Sequence, residues 1–285
     1  EKGLDMIYRS AILYRIIKQF NPDIISGFCN FYLSQIGKLL NIPSVVLTDT
    51  EHASIQNALT FPFCDKILTP NAFGKQLGTK QVKYDGYHEL AYLHPNYFTP
   101  SPSVLGLLDV GKEEKYIIFR FISWNAAHDI GHTGLSLQAK RQIVREFSKF
   151  AKVFITSETP LPRDLEKYKI PIPPERMHDA LHYSTLYIGE GATMASECAV
   201  LGTPAIYVNN LSAGTLEEQR SKYGLIFYCK NSNEIIDTAL DLLANPNLKK
   251  EFRGKQQKML ADKIDVTSFL LDYIENYPMK AKKWN

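Results

Sequence analysis

Two glutamates stand in the stretch from Ile188 to Val208, IGEGATMASECAVLGTPAIYV, where a plain buried helix would carry Leu and Ile. The second, Glu197, lies within MASECAVLG, which is apolar nearly all round and is therefore expected to be buried. A buried carboxylate without a partner costs several kcal/mol or is forced to hold a proton. Glu197 could accept hydrogen bonds from the two ribose hydroxyls of a nucleotide. Alternatively, the positive end of the helix stabilises the charge by up to about 1 kcal/mol while the side chain reaches solvent.

Gly189 and Gly191 predict a tight turn between the strand TLYIGE and a helix that starts near Thr193. Glycines let a ligand approach the backbone closely, and the free N–H groups at a helix start bind phosphate without a cationic side chain. An ordinary strand-to-helix turn also explains the glycines by themselves. The position of Glu197, one turn along the predicted helix, favours a nucleotide whose pyrophosphate lies on the helix start.

A second polar cluster, in VVLTDTEHASIQN, places Asp49, Glu51 and His52 just after a predicted strand. The carboxyl ends of parallel strands are where α/β folds place their chemistry. Two carboxylates and an imidazole can supply a general acid and a general base, provided that their neighbours separate the pKa values. A solvated helix cap, with Asp49 or Thr50 at the N-cap position, is the alternative interpretation.

The stretch RFISWNAAHDIGHTG follows a further predicted strand. Arg120, at the end of that strand, could meet a diphosphate with a bidentate guanidinium. His128 and His132 have the i, i+4 spacing of metal ligands, but Gly131 and Gly134 disfavour the helix that would bring both to one face. We therefore predict no metal site, and expect a loop that closes over a sugar or diphosphate, with His128 as a binding residue.

The composition excludes several classes of protein. The 285 residues are 45% hydrophobic and 22% charged, which is typical of globular domains, and the net charge of +3 is spread over the chain rather than concentrated as in nucleic-acid-binding proteins. Four widely spaced cysteines indicate neither a disulfide framework nor a zinc site. We predict a cytoplasmic protein, and the basic, aromatic opening YRSAILYRIIKQF leaves peripheral contact with an anionic membrane surface open.

Short apolar segments alternate with helical ones along the chain, which predicts parallel sheets covered on both faces. The expected fold is α/β, with two doubly wound Rossmann-like domains that face a ligand-binding cleft. We place the first domain at residues 1–108, including an irregular connection from Tyr84 to Leu108, and the second at 109–285. The first half has fewer strand-helix units and begins with a helix, so we expect that opening units of the natural protein are missing.

GATMASECAVLGTPAI resembles the nucleotide-sugar-binding motif of two-domain (GT-B fold) glycosyltransferases and of non-hydrolysing UDP-N-acetylglucosamine 2-epimerases. This resemblance implies that Gly191, Ala192 and Thr193 meet the diphosphate and that Glu197 holds the ribose diol. It also implies that His178, after PIPPERM, lies near the nucleotide base. The epimerases carry Ser-Gly-Gly and a Gln-Glu-Glu run in this motif, and only the last Glu is matched here.

A narrower resemblance covers nearly all 285 residues. The segments DTEHA, LTFPFCDKILTP, YDGYHELAYLHPNYF and HDIGHTGLS resemble archaeal and bacterial proteins of domain of unknown function family 354, which look like nucleotide-sugar enzymes of GT-B shape. Members of that family carry an additional opening strand-helix stretch. The epimerases have His-x-Glu where this chain has Asp49-Thr50-Glu51, so that Glu51 matches and Asp49 replaces the His.

The resemblances imply a metal-independent glycosyltransferase without a cofactor, whose substrates are a UDP-linked sugar and a sugar or lipid-linked acceptor. Such an enzyme would serve the synthesis of cell-surface polysaccharide or glycoconjugate. The base that deprotonates the acceptor could be Asp49, Glu51 or His52, or could lie in the missing opening stretch. Two alternatives remain open: a sugar-nucleotide 2-epimerase, and a nucleotide-sugar-binding protein without catalytic activity.

Overall fold

In a computed structural model, residues 2–122, 134–209 and 213–278 are described. They form two compact units, of which the first comprises the residues up to His88 together with those from Ile264 onward. The second unit runs from Glu89 to Lys263.

Strands and helices alternate through most of the chain. In order, the elements are α1 (Lys2–Phe20), β1 (Ile25–Phe28), α2 (Phe31–Leu40), β2 (Ser44–Leu47), α3 (Ser54–Thr60), β3 (Lys66–Pro70), β4 (Gln81–Tyr84), α4 (Leu90–Leu93), α5 (Val104–Leu107), β5 (Tyr116–Phe121), α6 (Leu137–Phe147), β6 (Lys152–Ser157), α7 (Met177–Tyr183), β7 (Leu186–Gly189), α8 (Ala192–Leu201), β8 (Ala205–Tyr207), α9 (Gly214–Ser221), β9 (Ile226–Tyr228), α10 (Ser232–Ala244), α11 (Leu248–Asp262) and α12 (Val266–Glu275).

The first unit is built on a parallel sheet with the strand order β1-β2-β3-β4. Its inner strand β2, SVVL, is buried along its whole length, as expected for a parallel strand covered on both faces. Helix α2 begins where the Asn30 side chain accepts a hydrogen bond from the Leu33 N–H, and it ends at Asn41 in the left-handed conformation. Ile17 of α1 packs with Ile36 of α2 in a small core cluster.

The second unit has a five-stranded parallel sheet with the order β6-β5-β7-β8-β9. Its core combines strand residues such as Ile117 and Ile206 with Val144 and Phe147 of α6. The strand order reverses between β5 and β7, because β6 lies on one side of β5 and the later strands on the other. Open α/β sheets bind ligands outside the carboxyl ends of the strands at such a reversal. The end of β7 therefore lies at the expected binding position.

The predicted fold class, two α/β domains built on parallel sheets, is confirmed. The division of the chain differs from the predicted one, because the units separate after His88 rather than after Leu108. The connecting segment packs on the second unit, where the Ser101 N–H donates to Asp179 Oδ1 over 2.7 Å. At the other end of the chain, α12 joins the first unit, and the rings of Tyr84 and Phe269 lie 5.4 Å apart.

No helix within the described ranges combines the length and apolarity that a bilayer-spanning helix needs.

Candidate functional site

The turn between β7 and α8 is built around glycines at the strand reversal. A Cβ atom on Gly189 would lie 2.2 Å from Tyr187 Oη and 2.9 Å from Arg120 Cβ, so no side chain fits there. Gly191 is the N-cap of α8 and supplies no side-chain acceptor to the first N–H groups of the helix. Thr193, in the first turn, is exposed. The first backbone N–H groups of α8 therefore have no hydrogen-bond acceptor among the residues that the structure describes.

The other end of α8 is held firmly by α11. Gln256 Nε2 donates to the Val200 carbonyl over 2.6 Å, and Arg253 Nη1 donates to the Leu201 carbonyl. Gly202 follows with a φ of 72°, the left-handed conformation that commonly ends a helix. A cation at this end also stabilises the helix dipole. One end of α8 is thus fixed inside the unit, and the other faces the strand reversal.

Glu190, the first glutamate of this stretch, is satisfied inside the protein. Its side chain is only 1% exposed. The Leu135 N–H donates to Oε1 over 2.7 Å, while the Ile122 N–H and Lys140 Nζ donate to Oε2 over 3.2 and 2.9 Å. Lys140 also lies over the ring of Phe121 at 4.6 Å. This carboxylate joins the turn to β5 and α6, and it is structural.

Glu197 is also buried, with a side chain 9% exposed, but its hydrogen bonding is one-sided. Tyr92 Oη donates to Oε1 over 2.9 Å, and His178 Nε2 lies 3.1 Å from the same oxygen. Among the described residues, none makes a hydrogen bond to Oε2. The carboxylate neither points into bulk water nor pairs with a described arginine. The described residues thus hold the carboxylate through Oε1 alone.

His178 was expected beside the nucleotide base, and the structure places it against Glu197. It lies in the first turn of α7, its side chain is 33% exposed, and its ring lies 5.6 Å from that of Tyr92 and 6.0 Å from that of Phe98. Sequence reasoning did not single out Tyr92 or Phe98. Their only signal was the aromatic density of YDGYHELAYLHPNYF, which is equally compatible with packing of the connection.

Arg120 was expected to face a diphosphate, and its guanidinium donates hydrogen bonds to the neighbouring strand β6 and to the residue after it. Nη1 donates to Thr156 Oγ1 over 3.0 Å, and Nη2 donates to Glu158 Oε1 over 2.7 Å. These bonds use two of the five guanidinium N–H donors, so three donors remain that could meet a phosphate group. A role of Arg120 in phosphate binding stays a prediction.

His128 lies outside the described residues, and so does His132. Among the residues that are described, no group of three or more His, Cys, Asp or Glu side chains has the geometry to hold a metal ion.

The acidic cluster of the first unit follows β2 at the carboxyl edge of its sheet, and its three members are half-buried. Asp49 Oδ1 accepts a bond from Thr50 Oγ1 at 3.0 Å. Glu51 Oε1 accepts the Gly74 N–H over 2.9 Å, and its backbone carbonyl accepts Lys75 Nζ over 2.7 Å. The carboxylate of Glu51 thus holds the segment after β3, whereas the carboxylate of Asp49 accepts a hydrogen bond from the hydroxyl of its neighbour Thr50.

His88 adds an imidazole to this cluster that sequence reasoning missed. Burial lowers its pKa, which favours the neutral, proton-accepting ring, and the negative charge of Asp49 acts in the opposite direction. The loop that carries Asp49 is held by Asn57, whose side-chain amide donates to the Thr50 carbonyl over 3.2 Å. The position of His88, 39 residues further along the chain than Asp49, gave no local signal of their proximity.

The chain is similar over most of its length to a family described as a protein of unknown function (DUF354), whose model matches residues 1–278. It is also 27% identical over 210 residues to the uncharacterized protein MJ0665 of Methanocaldococcus jannaschii. That alignment covers 68% of this chain, and the matched region spans only 59% of the relative.

Several solved structures share the fold at low identity. The MnaA–UDP structure from S. aureus has a TM-score of 0.67 at 11% identity, covering 96% of this chain and 81% of that one. The UDP-GlcNAc 2-epimerase of Neisseria meningitidis bound to UDP-GlcNAc has a TM-score of 0.66 at 10% identity, covering 93% and 80%. MurG of Acinetobacter baumannii has a TM-score of 0.56 at 15% identity, covering 96% and 79%. These likenesses show a GT-B type of fold.

Proposed function

We propose that this chain, which belongs to the DUF354 family, binds a nucleotide-sugar at the start of α8 and transfers the sugar to an acceptor without a metal ion. The observation that carries the proposal is the one-sided hydrogen bonding of Glu197, a buried carboxylate of which only Oε1 has a partner among the described residues. Burial of an acidic side chain in this state costs free energy unless a ligand completes its bonds.

The geometry of α8 would bring the diphosphate and the ribose of a nucleotide to the same face of the helix. Thr193 and Glu197 are four residues apart on α8, so their side chains lie one above the other. A diphosphate on the N–H groups of Ala192 and Thr193 would leave the adjoining ribose beside Glu197. Its hydroxyls could then donate charge-assisted hydrogen bonds to Oε2.

Tyr92 and His178 have a positioning role in this proposal. Both bind Oε1, which fixes the rotation of the carboxylate and directs the other oxygen away from them. A carboxylate that is already oriented loses less conformational entropy when the ligand binds. His178 therefore contributes to the ribose end of the site rather than to the base.

The chemical step needs a base for the acceptor hydroxyl and stabilisation of the departing diphosphate. The helix start of α8 offers electrostatic stabilisation to the leaving group. Asp49 is our first candidate for the base, because the Glu51 carboxylate is engaged by the Gly74 N–H. His52 remains a candidate, and His88 joins the group because burial favours its neutral form.

The relatives support a UDP-linked donor, since the structures with S. aureus MnaA and the N. meningitidis epimerase contain UDP and UDP-GlcNAc. They also favour a second candidate function, 2-epimerisation of a sugar nucleotide. The UDP-GlcNAc 2-epimerase of N. meningitidis aligns with a TM-score of 0.66, against 0.56 for MurG. A role in polysaccharide or glycoconjugate synthesis, with a sugar or lipid-linked acceptor, belongs to the first proposal.

A panel of UDP-sugars separates the candidate functions. Transfer predicts a glycosylated product only when an acceptor is added, and epimerisation predicts a 2-epimer without an acceptor; both are detected by mass spectrometry and NMR. Saturable binding with neither product would leave a nucleotide-sugar-binding protein. An Asp49→Asn variant should spare donor binding and lower turnover, whichever reaction is found.

Replacement of Glu197 tests the binding site itself. We expect Glu197→Ala to weaken UDP binding by about 1–3 kcal/mol, the scale of lost hydrogen bonds to a charged group, as measured by calorimetry. Glu275→Ala, an exposed glutamate at the end of α12, is the matched control and should bind UDP as the unaltered chain does. Equal affinity of Glu197→Ala and the control would rule out the ribose role.

A further inference from the structure

A cavity of about 260 Å³ lies in the second unit between α6 and the short turn Glu166–Tyr168 that follows β6. None of the residues assigned above to nucleotide binding lines it. Its walls are formed by charged, aliphatic and aromatic side chains: Arg141, Val144, Arg145, Asp164, Leu165, Lys167 and Tyr168.

The charges around this cavity are unbalanced. Arg141 donates to both oxygens of Asp164, with Nε and Nη2 at 2.7 and 2.8 Å. Arg145 and Lys167 form no ion pair with any described carboxylate. Three cations thus share one anion around a concave surface, where a positive potential concentrates anionic ligands.

The other walls suit a ring with hydroxyl groups. Val144 and Leu165 are buried and form an apolar floor. Lys167 Nζ lies 4.9 Å from the centre of the Tyr168 ring, and Ser148 Oγ donates to Tyr168 Oη over 3.3 Å. Lys167 thus lies over one face of the Tyr168 ring, and the cavity combines this aromatic ring and an apolar floor with four charged side chains.

The Asp164–Arg141 pair can also accept a ligand. The hydrogen bond from Arg141 lowers the pKa of Asp164, so the carboxylate stays ionised and can accept bonds from hydroxyl groups. Two of the five guanidinium N–H donors of Arg141 face Asp164, and the remainder can donate elsewhere. The pair is half-exposed, and such pairs contribute little stability, so its rearrangement on binding costs little.

We propose that this cavity binds a phosphorylated monosaccharide, with the phosphate group between Arg145 and Lys167, the sugar ring against Tyr168 and its hydroxyls at Asp164. The volume is below the roughly 300–1,000 Å³ of sites for drug-sized ligands, which favours one sugar phosphate over a whole nucleotide-sugar.

Calorimetry with glucose 1-phosphate, inorganic phosphate and glucose tests this inference. We expect saturable binding of glucose 1-phosphate that is at least about tenfold tighter than that of inorganic phosphate or glucose. Only glucose 1-phosphate can contact the two cations, Arg145 and Lys167, and the Tyr168 ring at the same time. Arg145→Ala/Lys167→Ala should weaken the binding of glucose 1-phosphate at least about tenfold. Added salt should weaken it as well, because the site is half-exposed.

Matched variants locate the binding. Lys149 is an exposed lysine that pairs with Glu146 and does not line the cavity. Lys149→Ala should therefore leave the binding of glucose 1-phosphate unchanged. Glu197→Ala should also bind glucose 1-phosphate normally, while the double cavity variant should bind UDP normally. These two results would keep the cavity and the nucleotide site distinct, so that either can fail alone. Thermal melts would verify that all variants are folded.

Four results would overturn the inference: no saturable binding of glucose 1-phosphate, equal affinity in the double cavity variant, inorganic phosphate or glucose binding as tightly as the sugar phosphate, or loss of binding in Glu197→Ala.

Discussion

Glu190 and Glu197 stand seven residues apart in the same stretch, and both are buried, yet their surroundings differ in kind. Glu190 has a lysine and two backbone N–H groups distributed over its two oxygens. Glu197 has a tyrosine and a histidine on one oxygen. Burial of a carboxylate therefore does not by itself indicate a ligand site. The distribution of donors between its two oxygens is the more informative observation.

The difference follows from where each residue stands. Glu190 lies at the sharp turn after β7, where backbone N–H groups of the neighbouring strand and loop point towards it. Glu197 lies in the second turn of α8, whose own N–H groups are used by the helix. Only side chains from other elements can reach it there, and α4 and α7 supply one each.

The largest expected effect tests Glu190. Glu190→Ala leaves Lys140, whose side chain is 13% exposed, and two backbone N–H groups without their acceptor. Breaking a buried pair in this way costs about 3–5 kcal/mol of unfolding free energy, which urea denaturation would measure.

Glu190→Gln is the matched control, because it keeps the shape and one acceptor oxygen, and it should lose less stability than the alanine variant. If the unfolding free energy of Glu190→Ala lay within about 0.5 kcal/mol of that of the unaltered chain, the structural assignment of Glu190 would be wrong.

An intermediate effect is expected at the turn between the two glutamates. Gly189→Ala would place a Cβ against the Tyr187 hydroxyl and should cost about 1–3 kcal/mol of unfolding free energy by overpacking. Gly254→Ala, inside α11 with no heavy atom within 4 Å of the added Cβ, should instead stabilise by about 0.5–1 kcal/mol.

A second substitution tests whether steric overlap with Tyr187 causes the stability loss of Gly189→Ala. The buried Tyr187 hydroxyl has no hydrogen-bond partner among the described residues, so Tyr187→Phe removes the nearest overlapping atom without breaking a described bond, while Cζ at 2.5 Å remains. Gly189→Ala/Tyr187→Phe should regain part of the lost stability in the same denaturation experiment. No recovery would mean that Gly189 is required for another reason.

The smallest expected effect on stability is at Glu197. Tyr92→Phe removes one of the two bonds to Oε1 and should cost about 0.5–1.5 kcal/mol of unfolding free energy, the usual contribution of one hydrogen bond. Tyr92→Phe should also lower the affinity for UDP, because the Glu197 carboxylate loses one of the two bonds that orient it. A stability loss as large as that of Glu190→Ala would remove the contrast between the two glutamates.

Much of the fold could be predicted from the sequence, because long apolar periodicities report directly on local structure. Helices α1, α6, α8, α10, α11 and α12 and most strands are recognisable in this way. Strand β4, QVKY, was not predicted, since it is short and mixes polar with apolar residues. Strand β9, with three residues, was missed for the same reason of length.

The site was predictable only in part. The buried carboxylate of Glu197 and the glycine turn before α8 have local signals, whereas Tyr92 lies 105 residues away from Glu197 in the chain. His88 and Asp49 likewise come from separate segments. The orientation of Arg120 towards Thr156 depends on which strand lies beside β5, which residue spacing cannot reveal.

The sequence by itself determined the parallel α/β architecture and an acidic side chain inside an apolar helix, because both depend on patterns within a few turns of the chain. Only the tertiary structure decided which glutamate has donors on both oxygens and which has described donors on one oxygen alone. Hydrogen bonds depend on short distances between atoms of distant segments, and those distances exist only after the chain has folded.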